Sequence, residues 1–430
     1  MILHVHPIDS LKGVIDAPAS KSYSIRAILI AACGGQSQII APSNCDDAQV
    51  AMHVARTLGT KIQKKDGRYF FTSQKIDQVY QRLNVGESGT VLRFLLPLLS
   101  IKSRGAMVEG SGTLVGRPNH FLLQSLRQQG MKIKGYGPQE SVPIQYEGGA
   151  LRPGKIRIDG TLSSQFISAL LITCPQLTED TRLEITGQKI VSKDYITMTS
   201  QILKKSGITI KQISPRKFMI PGAQTFKGLK NYHVPSDYGL AAFFMAAASF
   251  FPSQLSLMGN WDKEFIQSDG KILVFLKKMG VQFTQTRTKL HFRGPSLLKG
   301  GTFDLKDCPD LVPIMAVLSL YAQGNVRLTN IAHARAKESD RISDLRKELL
   351  KVGARIQEKA NELMIEPSAH CLKGGVLLDP HHDHRLAMAF AVLGLKIGLK
   401  IKDIECTRKS YPDFVSDLKS VAPTVKVSVS

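Results

Sequence analysis

Six stretches of the chain, residues 25–33, 91–100, 166–174, 240–249, 311–320 and 386–395, are apolar almost all round and rich in small side chains. Their starts lie 66, 75, 74, 71 and 75 residues apart. A helix that is hydrophobic on every side must be buried, so each stretch is predicted to be an interior helix. A second pattern shares the period. Amphipathic helical stretches, such as residues 342–350, end in Gly59, Gly130, Gly207, Gly280 and Gly353, which are 71, 77, 73 and 73 residues apart. Each glycine is followed by an alternating run, for example Thr60-Lys61-Ile62 or Val281-Gln282-Phe283. Glycine just past a helix is the left-handed cap, and the alternation after it reads as a strand.

Two independent markers with one period of about 73 residues predict six copies of one supersecondary unit. Each copy holds a buried helix, an amphipathic helix and several strands, so helices surrounded by sheets are expected. The chain is predicted to divide three and three, with a junction in the Gly- and Lys-rich residues 222–234.

Composition narrows the class. Of 430 residues 43% are hydrophobic and 21% charged, which excludes disorder as the main state. The longest apolar run, residues 239–251, is too short to span a bilayer and is read as a buried helix. The N-terminus lacks a signal or transit pattern, so a cytoplasmic location is expected, with no membrane partner. Cys33, Cys45, Cys174, Cys308, Cys371 and Cys406 are widely spaced, which predicts separate thiols without disulfides or a zinc knuckle.

The 57 Lys and Arg against 35 Asp and Glu give a net charge of +22. Such a balance suits either a nucleic-acid face or strongly anionic substrates. Basic residues are scattered, with no long basic run and no aromatic-interleaved platform, so no nucleic-acid partner is expected. Neither a Walker A sequence nor G-x-G-x-x-G is present, and no cofactor is predicted. His381-His382-Asp383-His384 matches no zinc spacing; it reads as a helix start that presents an imidazole and a guanidinium to an anion, and no metal is expected.

Polar residues precede the apolar helices: Ser20-Lys21-Ser22 with Arg26, Gly86-Glu87-Ser88-Gly89-Thr90 with Arg93, Ser163-Ser164-Gln165, Pro235-Ser236-Asp237, Pro309-Asp310, and Asp383-His384-Arg385. The second helices are predicted to begin at Gly116-Arg117-Pro118, Ser192-Lys193-Asp194-Tyr195, Lys337-Glu338-Ser339-Asp340-Arg341 and Lys409-Ser410-Tyr411-Pro412, with Pro118 and Pro412 in the first turn. For any single Ser or Thr, helix capping is the simplest role. Cations at a helix N-terminus oppose the macrodipole unless an anion arrives. Lys21, Arg117, Lys337, Arg385 and Lys409 are all expected to break that rule, which points to a small ligand carrying several negative charges.

Taken in order, these segments resemble the 5-enolpyruvylshikimate-3-phosphate synthase family of enolpyruvyl transferases over essentially the whole chain. The marks are Ser20-Lys21-Ser22-x-Ser24-x-Arg26-Ala27, Ser88-Gly89-Thr90-x-x-Arg93, Gly116-Arg117-Pro118, Ser163-Ser164-Gln165-Phe166, Ser192-x-x-Tyr195, Pro309-Asp310, Lys337-Glu338-Ser339-Asp340-Arg341, Asp383-His384-Arg385-x-Ala387-Met388 and Cys406-Thr407-x-Lys409-x-x-Pro412-Asp413. The resemblance implies an α/β (α+β) fold: a two-domain inside-out α/β barrel of six βαβαββ-type units. One domain would comprise residues 1–19 with 232–430 and the other residues 20–231, with the active site in the cleft between them. It also implies a monomer.

The implied reaction joins phosphoenolpyruvate to the 5-hydroxyl of shikimate-3-phosphate by addition and elimination of phosphate. Asp310 is expected to take the hydroxyl proton, and Glu338 with Lys21 to deliver a proton to carbon. For phosphoenolpyruvate the resemblance implies Lys21, Gly89, Arg117, Gln165 and Lys409 at the phosphate, and Arg341 and Arg385 at the carboxylate. For shikimate-3-phosphate it implies Arg26 at the carboxylate and Lys21, Ser22, Ser163, Ser164, Gln165, Ser192, Tyr195, Asp310, His333 and Lys337 around the ring and phosphate. Thr90, Arg93 and His384 would support the site.

Glu87, Ile25, His333 and Phe94 depart from the family pattern. A carboxylate at Glu87 beside Gly89 is expected to weaken binding of phosphoenolpyruvate and glyphosate unless a neighbouring cation pairs with it. The nearest rival is the sister family that uses UDP-N-acetylglucosamine, which carries a reactive Cys before its Arg-Pro; here Thr113-Leu114-Val115-Gly116 precedes Arg117. A basic nucleic-acid-binding protein is the remote alternative.

Overall fold

The computed structural model describes residues 1–73, 80–422 and 425–428. The apolar stretches form α1 (Lys21–Ala31), α3 (Gly89–Lys102), α5 (Ser164–Thr173), α7 (Tyr238–Phe250), α9 (Val312–Ser319) and α11 (His384–Ile397). The amphipathic ones form α2 (Asp46–Thr57), α4 (His120–Gln128), α6 (Lys193–Lys205), α8 (Lys271–Lys278), α10 (Ser343–Lys351) and α12 (Phe414–Val421). Their surroundings differ as the patterns require. All thirteen residues of α7 are buried, whereas α8 buries only Ile272, Phe275 and Leu276. Gly59, Gly130, Gly207, Gly280 and Gly353 all adopt positive φ, between 87° and 98°. Strands follow them at Thr60–Lys65, Ile133–Tyr136, Lys211–Ser214, Phe283–Gln285 and Arg355–Lys359.

The described residues form six four-stranded sheets of one design. In one example Gly154–Asp159 runs parallel to Thr181–Thr186, which pairs antiparallel with Lys217–Ile220, and that strand pairs antiparallel with Lys211–Ser214. A parallel pair needs a crossover, and the buried helix of the unit supplies it, here α5. The fold is α/β, with a βαβαββ order in the three repeated units whose described strands are contiguous in sequence, and with helices inside and sheets outside.

The chain divides into two compact units, Met1–Ala19 with Pro235–Ser430, and Ser20–Val234. Two sheets draw their opening strand from a distant part of the sequence. Leu11–Asp16 lies parallel to Ser253–Met258, and Tyr232–His233 lies parallel to Gln36–Ile40. Ile2–Val5 lies between Leu399–Ile401 and Lys426–Ser428 in a third sheet. No helix among the described residues is long and apolar enough to cross a membrane.

Several predicted helix starts move. Pro118 and Pro412 lie outside the first turn, one residue before the N-caps Asn119 and Asp413. Asn119 is held there by its own amide, which donates to the carbonyls of Arg117 and Glu140. Arg117 therefore precedes α4, and Lys337 lies in the non-helical link before α10. Lys409 ends the 3-10 helix Ile404–Lys409, where a cation agrees with the local dipole. Only Lys21 and Arg385 occupy the first turn of a long helix, so the macrodipole argument holds for two of the five cations.

Candidate active site

In the unit that contains both termini, the starts of α9, α10 and α11 converge through one guanidinium. Arg341, 1% exposed, donates from Nη1 to Asp310 Oδ1 at 2.6 Å, from Nη2 to Glu338 Oε2 at 2.7 Å and from Nε to Asp383 Oδ2 at 2.6 Å. Asp310 also meets Arg385 Nη2 at 3.0 Å through Oδ2 and Lys337 Nζ at 3.4 Å through Oδ1. Asp383 caps α11 by accepting from the backbone N–H of Arg385 and takes a further bond from Ser339 Oγ at 3.3 Å. The predicted residues Asp310, Lys337, Glu338, Arg341 and Arg385 thus form one ionic network. His384 is the buried first residue of α11, Lys409 is buried, and His333 belongs to the 3-10 helix Ala332–Ala336.

Burial alone would raise the Asp310 pKa, but Arg385, Lys337 and Arg341 together hold it well below the usual carboxylate range. Arg341 is likewise pushed up: burial opposes its charge, and Asp383, Glu338 and Asp310 more than offset that. Asp269 is a member of the site that sequence patterns did not flag. It lies in the 3-10 helix Ser268–Gly270, is 6% exposed, and its Oδ1 makes no hydrogen bond among the described residues. Burial first, then the Asp310 charge, push its pKa up to about 7, with Asp237 adding and Arg385 and Lys337 opposing. Gly239 makes the approach possible: a Cβ there would press on Asp269 Oδ2 and stand 3.1 Å from Arg385 Nη1.

The Asp269 shift sets a pH dependence. An unfolded aspartate titrates near ~3.9, so between that value and about 7 the folded chain binds the extra proton and stability falls as pH rises. Asp269→Asn removes this component. Thermal unfolding is expected to show the wild type losing more stability than the variant from pH 5 to pH 8; parallel losses would contradict the shift.

The other unit carries cations of a different kind. Arg26 on α1 is 1% exposed and meets no carboxylate among the described residues. It donates to Thr199 Oγ1 at 2.9 Å and to the Ser22 carbonyl at 3.0 Å, with Cζ 5.0 Å from the Phe94 ring centre and 5.5 Å from that of Tyr195. Burial lowers its pKa to about 10, against the pull of Tyr195, Tyr23 and Tyr232. Phe94, one of the departures from the family pattern, therefore gives the guanidinium an aromatic face.

Arg93 donates to Gln165 Oε1 at 2.5 Å while Gln165 Nε2 donates to Thr90 Oγ1 at 2.8 Å, which fixes the amide orientation. The Arg117 guanidinium packs on Gly89, where a Cβ would stand 3.2 Å from Nη1, and its buried Nε makes no hydrogen bond among the described residues. Lys21 pairs with Asp47 at 3.1 Å. Sequence reasoning missed Asp47 because Asp46-Asp47 at the start of α2 satisfies the helix dipole by itself. Ser163 caps α5 by accepting from the Gln165 N–H, Ser164 opens that helix, and Ser192 precedes α6 in the left-handed region, with Tyr195 in its first turn. The predicted residues of this unit thus cluster around the starts of α1, α3, α5 and α6.

The comparisons with known proteins agree in fold and sequence. An EPSP synthase from Acinetobacter baumannii matches all of this chain and all of its own, at a TM-score of 0.82 and 25% identity. The enolpyruvyl transferase NikO from Streptomyces tendae shares the fold, at a TM-score of 0.78 and 17% identity over 98% of this chain and 97% of its own. The architecture is therefore that of the inside-out α/β transferases.

Residues 5–418 match the family described as EPSP synthase (3-phosphoshikimate 1-carboxyvinyltransferase). A 3-phosphoshikimate 1-carboxyvinyltransferase of Methanococcus aeolicus is 34% identical over 98% of this chain and 99% of its own length, and one from Clostridium perfringens is 33% identical over 97% of each. The chain belongs to the EPSP synthase family.

Proposed function

We propose that the chain transfers the enolpyruvyl group of phosphoenolpyruvate to the 5-hydroxyl of shikimate-3-phosphate and releases inorganic phosphate. The observation that carries this reading is the division of charge. Carboxylates held by cations cluster on one unit, around Arg341, and guanidinium groups that have no carboxylate partner among the described residues, Arg26 and Arg117, lie on the other. Two small substrates, each with a carboxylate and a phosphate, supply the missing negative charge.

In this reading Arg26 takes the shikimate carboxylate, and Ser163, Ser164, Ser192, Tyr195, Ser22, His333 and Lys337 hold the ring and its phosphate. Lys21, Arg117, Gly89, Gln165 and Lys409 hold the phosphate of phosphoenolpyruvate, and Arg341 and Arg385 hold its carboxylate. Bidentate guanidinium bonds orient these anions and place the hydroxyl oxygen against C2 of phosphoenolpyruvate.

Asp310 accepts the proton of the attacking hydroxyl, and Glu338 with Lys21 delivers one to the methylene carbon, which gives a tetrahedral ketal. Loss of that proton and of phosphate restores the double bond. Asp310 in the ligand-free protein is a weak base because three cations surround it. Anions that engage Arg385, Arg341 and Lys337 weaken that hold and raise its basicity where it is needed. The reaction takes place in the cytoplasm on a monomer and uses neither metal nor cofactor.

The test is phosphate release from phosphoenolpyruvate with two acceptors side by side. Release with shikimate-3-phosphate and none with UDP-N-acetylglucosamine is expected; the reverse preference would overturn the assignment.

A further inference from the structure

The loop that carries Arg117 is tied to the segment before α3 by one carboxylate. Glu87 Oε2 accepts from the Thr113 backbone N–H at 3.0 Å and from Thr113 Oγ1 at 2.7 Å. Its Oε1 lies against Gly112, which adopts φ of 52° and has no room for a Cβ. The Ser111 N–H adds a bond to the Gly86 carbonyl at 2.9 Å. A single turn of 3-10 helix, Gly112–Leu114, then leads to Arg117, whose N–H donates to the Leu114 carbonyl at 3.2 Å. Beyond it the Arg117 carbonyl accepts from Asn119 and the Gly116 N–H donates to Ser141 Oγ. The guanidinium at the end of this loop rests on Gly89, two residues from Glu87.

From this arrangement we infer that Glu87 is a positioning residue for phosphoenolpyruvate, acting through Thr113 to hold the Arg117 loop against the start of α3. The inference rests on the proposed assignment of Arg117 and Gly89 to the phosphate. It reverses the expectation drawn from charge alone. A carboxylate near an anion site repels the ligand, but it favours binding overall where it orders the cation that binds and that ordering outweighs the repulsion. Here one oxygen accepts two donors from the loop and the other is packed against its backbone, so the carboxylate fixes the geometry of the cation that binds. Without it the loop keeps its bonds to Gly86 and Ser141 but loses the contact that sets Thr113, and misplacement of a binding group by about an ångström costs up to roughly a hundredfold.

The experiment compares wild type, Glu87→Ala, Glu87→Gln and Thr113→Ala in phosphate release, with the KM for each substrate and kcat determined separately. Glu87→Ala is expected to raise the phosphoenolpyruvate KM by about ten- to a hundredfold, with kcat and the shikimate-3-phosphate KM nearly unchanged. Glu87→Gln keeps an acceptor oxygen for Thr113 and restores most of the loss. Thr113→Ala, which keeps the backbone bond, falls between. A phosphoenolpyruvate KM that drops in both Glu87 variants would show that repulsion governs, and an unchanged KM would also overturn the inference.

Calorimetric titration with inorganic phosphate, after thermal unfolding has confirmed that each variant folds, keeps the two readings apart. If the wild type releases no phosphate, the proposed function fails, and weaker phosphate binding by Glu87→Ala alone then decides whether the loop is held as described. Equal phosphate binding by wild type and Glu87→Ala would overturn the inference in that case.

Discussion

Asp310→Ala is expected to lower kcat by about 10²- to 10⁴-fold while leaving the protein folded. The two oxygens of the Asp310 carboxylate meet Arg341, Arg385 and Lys337, and at 18% exposure, against 10% for Glu338 and 0% for Asp383, it is the carboxylate of the network that a substrate hydroxyl reaches most readily. Removing it leaves Arg341 with Glu338 and Asp383, so the buried guanidinium stays paired and the fold is maintained. The loss should fall on kcat because a general base acts in the transition state. Turnover near the wild-type rate would reject the role. The same substitution also isolates a structural consequence: Arg385 loses one partner but retains its bond to the Gly239 carbonyl at 3.1 Å.

Arg341→Ala should act first on stability. The residue is buried and binds three carboxylates from three segments, of which Asp383 is 0% and Glu338 10% exposed. Deleting it leaves like charges facing one another in a low-dielectric setting, and breaking a buried pair in this way costs about 3–5 kcal/mol. Arg341→Lys is not expected to rescue it, because an ammonium cannot reproduce a planar group that donates in three directions. In the variant the stranded carboxylates gain protons more readily when folded than when unfolded, so the destabilisation should be greater at pH 8 than at pH 5. Thermal unfolding at the two pH values checks both points. A variant as stable as the wild type would mean that the network is not the organising contact of its unit.

Much of the architecture is legible in the sequence because a buried helix and a capped amphipathic helix leave different and periodic signatures. The all-apolar composition of α7 and the positive φ of Gly130 or Gly353 follow from local chemistry, and the repeat multiplies a weak signal six times. The exchange of strands is different. Nothing in Leu11–Asp16 names Ser253–Met258 as its partner, since any alternating strand satisfies the pairing equally. Only the resemblance to a known family placed the opening residues with the C-terminal half.

The candidate site divides in the same way. Residue types at helix starts marked Lys21, Arg26, Asp310, Arg341 and Arg385, but their partners were hidden. The pairing of Lys21 with Asp47 and the burial of Asp269 behind Gly239 depend on packing between segments, which no local pattern records. At Glu87 the sign of the charge was legible and pointed to repulsion, whereas its two bonds to Thr113 depend on a loop geometry that no local pattern records.

The most direct measurement is a crystal structure of the Asp310→Ala variant soaked briefly with phosphoenolpyruvate and shikimate-3-phosphate together, since that variant should bind both and convert them about 10²- to 10⁴-fold more slowly. The proposed function predicts phosphoenolpyruvate in contact with Arg117, Gln165, Arg341 and Arg385, and the shikimate carboxylate on Arg26. Both ligands confined to a single unit, or bound away from these side chains, would contradict it.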